Sequence, residues 1–230
     1  MTGPEKVSID IRLDKERTQG FSVTFTEQIG SADKATLADI AKDAVFAIEV
    51  GSYIGGSAEA ILGGMPTIGR LVCVDTFDGT PASSQVNATP QLTILTLMER
   101  LRRFGDRCSL LKADSRRAAQ WFAPHIADLV FIDAAHDFEN VMADIAAWLP
   151  IVKPSGLIAG HDYDRIARKR VDLPYILERR NIEWDDESGL HCGVISAVME
   201  SFKTFGFADN IHSSVWWAKP EWHKSLQKAA

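Results

Sequence analysis

The sequence predicts an α/β domain, with one doubly wound, mostly parallel sheet flanked by helices. Two observations predict it. Short, almost continuously apolar segments recur at Ala44–Val50, Arg70–Asp75, Cys108–Lys112, Ala127–Asp133 and Gly156–Gly160, as expected of strands covered on both faces. Segments of helical period stand between them, the rhythm of a parallel sheet with crossover helices. Such sheets bind ligands beyond the carboxyl ends of their strands, where the strand order reverses.

The length of 230 residues suits a single domain with a full core. A hydrophobic share of 46% and a charged share of 24% are those of a soluble protein. The net charge of −6 argues against nucleic acid as the main partner, because phosphate binding needs a basic field. Cys73, Cys108 and Cys192 lie far apart without a CxxC pair, which reads as buried free thiols in a reducing cytoplasm. Met1 to Lys15 has no apolar core of signal-peptide length, and no run approaches a membrane span. A cytoplasmic protein with a small-molecule partner is the expectation, with a homodimer as a possible assembly.

Along the chain, residues 1–30 are read as a lead-in or lid without a clear period. With the helix that follows they make an N-terminal stretch, 1–43, ahead of a main domain, 44–230. That helix covers Ala35–Ala44, with Leu37, Ile40 and Ala41 on one face and Ser31 as N-cap. A helix from Ser57 stops at Gly63-Gly64, and another runs from Thr89 to Phe104 before Gly105. A fourth starts at Ser115. The helix Asp137–Leu149 puts Phe138, Val141, Met142, Ile145 and Trp148 on one stripe. Pro154-Ser155-Gly156 reads as a turn before the fifth strand. A charged insertion at about 164–190 carries Arg168-Lys169-Arg170 and Arg179-Arg180, read as solvated surface. A helix Gly193–Phe205 and a strand Ile211–Ala218 close the domain, with Trp216-Trp217 covering the sheet edge or a subunit contact.

Function is read from the strand ends. Glu49 ends an apolar strand, where a lone carboxylate costs several kcal/mol unless something binds it. The turn Gly51-Ser52-Tyr53-Ile54-Gly55-Gly56-Ser57 lets backbone approach a ligand and start a helix tightly. Asp75 ends the second strand and suits two ribose hydroxyls, a device shared by nicotinamide-binding and methyl-donor-binding domains. Tyr53 stands where the dinucleotide fingerprint G-x-G-x-x-G needs its second glycine, so the turn suits a ligand without pyrophosphate. Asp114 and Ser115 follow the third strand and either meet an adenine or begin a helix, with Asp114 as cap.

Asp133 ends the fourth strand and His161-Asp162 the fifth; as neighbours, these strands bring them together across a pocket. Converging oxygens suit Mg²⁺ or another hard divalent ion; His161 is a poor Mg²⁺ ligand and either supports the ligands from behind or shifts the preference toward a transition metal. The alternative is that Asp133 bonds the cofactor or a helix end. His136 lies beside this cluster, with a pKa placed for proton transfer near neutral pH or else a capping role.

At these residues the sequence resembles the S-adenosylmethionine-dependent methyltransferases of Rossmann-like fold. It is most similar to the branch of catechol O-methyltransferase-like enzymes and metal-dependent sugar O-methyltransferases. The turn E-V-G-S-Y-I-G-G-S is similar to their first motif, F-I-D-A-A-H-D-F to their strand-four motif, and G-L-I-A-G-H-D-Y to their strand-five motif. The resemblance implies S-adenosylmethionine as donor and O-methylation of a small-molecule hydroxyl, with a divalent metal assisting. It places Glu49, Gly51, Tyr53 and Ser57, with Ser52 between them, around the methionine part of the donor. Asp75 would hold the ribose and Asp114 and Ser115 lie against the adenine. Asp133 and Asp162 would bind metal, with Asp133 also beside the donor, and His136 falls at the catalytic base. His161 departs from the acid or amide usual at its position. Three readings stay open beside this one: a donor-binding homologue without catalysis, a nicotinamide-dependent oxidoreductase, against which Tyr53 stands, and a hydroxylase-like activity on a small molecule within the related metal-binding branch.

Overall fold

The computed structural model describes residues 6–12, 20–78, 89–164, 171–208, 210 and 212–224. Seven strands form one sheet. In chain order they are β3 (Phe46–Val50), β4 (Arg70–Asp75), β5 (Cys108–Lys112), β6 (Ala127–Ile132), β7 (Val152–Gly160), β8 (Gly206–Phe207) and β9 (Trp216–Ala218). Their spatial order is β5-β4-β3-β6-β7-β9-β8. The pairs among β3 to β7 are parallel, and β9 runs antiparallel to both β7 and β8. The order reverses between β3 and β6, so a crevice opens where Val50 and Ile132 end side by side.

Two layers of helices cover the sheet. One face packs α1 (Ser31–Ile40), α2 (Gly56–Gly64) and α3 (Pro90–Leu101) through Leu37, Ile61, Leu62 and Leu97, all fully buried. The other packs α4 (Ser115–Ala119), α5 (Phe138–Trp148) and α7 (Cys192–Ser201), α6 being the short Leu173–Glu178. The α5 stripe buries Val141, Ile145 and Trp148, while Phe138 and Met142 are half-buried against the same core. Trp148 Nε1 donates to Ser115 Oγ at 2.8 Å, and Ser115 donates on to Asp144 at 2.7 Å. This chain of bonds satisfies polar groups inside an apolar layer.

Several expectations are corrected. Within residues 1–30 stands an antiparallel hairpin, β1 (Lys6–Arg12) and β2 (Gly20–Thr26), rather than an aperiodic lead-in. Gly30, not Ser31, is the N-cap of α1, and Asp33 reaches back to accept from Gly30 N at 3.1 Å. Pro154-Ser155-Gly156 is no turn: β7 runs through it with a bulge, Ala127 pairing with Val152 but Leu129 with Leu157. The final helix ends at Ser201 instead of Phe205, and the final strand is only Trp216–Ala218; Ile211 lies outside the described residues. Trp216 does not cover an edge, since β9 is an inner strand and Trp216 is 1% exposed.

Of the basic clusters, Arg168-Lys169-Arg170 lies outside the described residues. Arg179 and Arg180 pack over the rings of Tyr175 and Phe138, at 3.9 and 4.2 Å from their centroids. Cys73, Cys108 and Cys192 are free. No helix among the described residues is long and apolar enough to cross a membrane.

Candidate active site

The glycine turn after β3 is held in place by its neighbours. Gly51 N donates to Val74 O at 2.8 Å, and Asp133 N donates to Val50 O at 2.8 Å. Gly51 has φ +87, and a Cβ there would lie 2.0 Å from Asp133 O, so only glycine fits. Asp75 completes the turn: Oδ2 accepts from Ser52 N and Tyr53 N at 2.9 and 2.8 Å, and Oδ1 from Phe77 N at 2.7 Å. Both oxygens of the expected ribose acceptor thus already organise backbone.

Behind the turn, Glu49 is 0% exposed and neither carboxylate oxygen has a hydrogen-bond partner. The Ser52 hydroxyl and Tyr53 phenol are likewise buried without partners. Burial raises the Glu49 pKa to about 7, and the Ser52 and Ser57 hydroxyls and the Cys73 thiol nearby, none of them in good hydrogen-bond geometry, offset only part of it. Unpartnered buried polar atoms are rare in native proteins. Three such side chains lie together at this strand end.

Further along the edge, Asp114 caps α4, accepting from Arg117 N at 3.0 Å. The Ser115 hydroxyl is turned inward to Asp144 and Trp148.

On the other side of Gly51, the ends of β6 and β7 bring Asp133, His136, His161 and Asp162 together. A small cavity of about 10 Å³ lies among them, lined also by Ile132 and Trp216. Asp162 adopts φ +61, a left-handed conformation that aspartate takes more readily than most residues. Its carboxylate lies among three imidazoles: His136 Nε2 at 2.9 Å, His161 Nδ1 at 3.0 Å and His191 Nδ1 at 3.4 Å. Asp133 Oδ1 is 3.8 Å from both His136 and His161.

Four contributors were not singled out in the sequence. Glu183 Oε2 accepts from His136 N at 3.0 Å and sits 3.1 Å from its Nδ1. Asp33, from α1, lies 3.4 Å from His161 Nε2. His191 stacks near His136, centroids 4.8 Å apart, and is held by Asp164 at 3.2 Å. Gly193 permits that approach, since a Cβ there would meet His136 O at 2.2 Å. None carries a local motif; each is far in sequence from the residue it serves.

The electrostatics correct one expectation. Burial depresses the His136 pKa, but hydrogen bonds to Asp133, Asp162 and Glu183 outweigh it and push it up to about 12. The ring is an imidazolium at neutral pH, not a base poised near 7, because three carboxylates surround it. His161 is also raised well above its ordinary value, burial being overcome by Asp162 and Asp133. Burial would raise Asp162, yet His161 and His136 hold it well below the usual carboxylate range.

The donor set can take a divalent cation. Ligand atoms of Asp133, His161 and Asp162 lie within 4.8 Å of one another, as do those of His136, Asp162 and His191. The first group fits the cavity and includes both strand-end acids.

Comparison with known proteins follows this geometry. Residues 48–163, just over half of the chain, match a family model described as a methyltransferase domain. No curated protein matches the sequence. Among solved structures, an O-methyltransferase from Bacillus cereus in complex with SAH (S-adenosylhomocysteine) is similar over 84% of this chain and 82% of that one. Its identity is 15% and its TM-score 0.55. The O-methyltransferase TomG from Streptomyces achromogenes, involved in tomaymycin synthesis and solved with SAM, aligns over 83% and 81%, at 13% identity and TM-score 0.56. A SAH-bound methyltransferase from Podospora anserina aligns over 80% and 76%, at 17% and 0.53. At these identities the likeness is one of fold.

Proposed function

Because the chain belongs to the methyltransferase-domain family, we propose that it transfers a methyl group from S-adenosylmethionine to a hydroxyl oxygen of a small molecule. The observation that carries this reading is the juxtaposition across Gly51: unpartnered buried polar atoms of Glu49, Ser52 and Tyr53 on one side, and the Asp133–His136–Asp162 cluster on the other. The O-methyltransferases among the structural neighbours support oxygen as the acceptor atom.

The donor supplies an already electrophilic methyl sulfonium, so the protein's task is chiefly to align the reacting atoms. Glu49, once ionised, accepts from the donor's ammonium and gains the partner it lacks. The Ser52 hydroxyl would face the methionine carboxylate, the amides of Gly51, Ser52, Tyr53 and Gly55 being engaged by Val74, Asp75 and Ser52. Asp75 keeps free lone pairs beyond its bonds to Ser52, Tyr53 and Phe77, and these receive ribose hydroxyls. Asp114 and Ser115 border the adenine through the backbone that begins α4, since the Ser115 hydroxyl is engaged within the core.

Asp133 and Asp162, with His161, would hold a divalent ion, whose positive charge would lower the acceptor hydroxyl's pKa. His136 Nε2 is the atom that takes the hydroxyl proton. It can do so only when Asp133 and Asp162 are engaged elsewhere and no longer hold the ring charged, while Glu183 keeps Nδ1 and the ring plane fixed. Incubation with S-adenosylmethionine labelled in its methyl group and a panel of catechols, flavonoids and sugars tests the proposal. Label recovered as an O-methyl ether supports it; label found only on nitrogen or carbon acceptors would refute it.

A further inference from the structure

The cation seat departs from an all-oxygen one. His161 is one of the three groups around the cavity, and its side chain is only 10% exposed. Nδ1 faces Asp162 Oδ1 at 3.0 Å and Asp133 Oδ1 at 3.8 Å, across the space where an ion would lie. Nε2 faces Asp33 Oδ2 at 3.4 Å, a long ion pair inside the protein. Asp33 is itself fixed: Gly30 N donates to Oδ2 at 3.1 Å and Ser214 N to Oδ1 at 2.8 Å, and the residue is 5% exposed.

An imidazole with one nitrogen toward a cation seat and the other toward a fixed carboxylate is the arrangement that orients metal-ligating histidines. Imidazole suits borderline transition ions, whereas Mg²⁺ requires oxygen ligands in near-ideal octahedral array.

We propose that the Asp133–His161–Asp162 seat selects a borderline divalent transition ion, such as Zn²⁺ or Co²⁺, over Mg²⁺. In it His161 Nδ1 is a ligand and Asp33 the residue that positions the ring. This deepens the methyl-transfer reading and rests on its placement of a cation between the two strand-end acids.

The test is calorimetric titration of chelator-treated protein with Zn²⁺, Co²⁺ and Mg²⁺, in the presence of SAH. Wild-type protein binds one Zn²⁺ or Co²⁺ per chain at least about 100-fold more tightly than Mg²⁺. His161→Asn, which offers an amide oxygen instead, loses about 100-fold for Zn²⁺ and changes by less than about threefold for Mg²⁺. Asp33→Asn loses about 10- to 100-fold for Zn²⁺. Proton NMR of the Co²⁺ protein shows a strongly shifted exchangeable imidazole N–H that His161→Asn lacks.

Equal affinity for Mg²⁺ in the wild type overturns the inference, and so does a shifted resonance that survives His161→Asn. The wild-type selectivity decides the matter even if a variant fails to fold. SAH binding in the same samples separates the outcomes: SAH binding with Mg²⁺ preferred removes only the ion assignment, whereas no SAH binding removes the methyl-transfer reading.

Discussion

Replacing Glu49 by glutamine should stabilise the free protein in a pH-dependent way while weakening donor binding. The carboxylate is fully buried with no hydrogen-bond partner, and burial raises its pKa from 4.5 to about 7. Between those values the unfolded chain has released a proton that the folded chain retains, so stability falls as pH rises. Below pH 4.5 the group carries no penalty, and above about 7 the penalty is complete. At 1.36 kcal/mol per pH unit, it amounts to about 3 kcal/mol. Glutamine cannot ionise. Urea denaturation of both proteins at intervals from pH 5 to 8.5 should show similar stabilities at pH 5, with the variant ahead by up to about 3 kcal/mol at pH 8.5. Comparing the two at each pH cancels the other titrating groups, His136 and His161 included. Calorimetry at pH 8 should show weaker SAH binding by the variant. A stability difference independent of pH, or undiminished SAH affinity, would refute the reasoning.

Three further changes follow from the same geometry. Gly51→Ala forces a Cβ to within 2.0 Å of Asp133 O at φ +87; a loss of about 2–4 kcal/mol in urea denaturation is expected, and a loss under 0.5 kcal/mol would contradict the packing described. Ser115→Ala strands the Trp148 indole N–H and an oxygen of Asp144, at a cost of about 1–3 kcal/mol with SAH affinity kept; a selective loss of SAH affinity would instead place the hydroxyl in the donor site. His136→Ala should retain SAH affinity and lose at least about 10²-fold in turnover of an acceptor found in the panel, and unchanged turnover would remove it from the mechanism.

The sheet was legible in the sequence because β3 to β7 write their burial on both faces as local apolar runs. Glu49, Asp75, Asp133 and His161-Asp162 stood out because polar residues interrupt those runs at one end. The hairpin was missed although Val7, Ile9 and Ile11 alternate with Ser8 and Asp10; its period is two, and a search for helical spacing passes over it. Pro154-Ser155-Gly156 has turn composition, yet pairing with β6 across a bulge overrides it. Asp33, Glu183 and His191 could not be read at all. Their place depends on how α1 and the charged 171–191 segment fold back over the strand ends. The charge state of His136 was hidden for the same reason, since Glu183, one of its three carboxylate neighbours, comes from that distant segment.

The central claim is that the turn at Gly51 receives an S-adenosyl donor beside a cation-holding cluster. Isothermal titration with SAH, with and without a divalent ion, tests it most directly. One SAH per chain is expected, bound more weakly by Glu49→Gln, with an ion isotherm abolished when Asp133 and Asp162 are both replaced by asparagine. Absence of any SAH binding by the folded wild-type protein would contradict it.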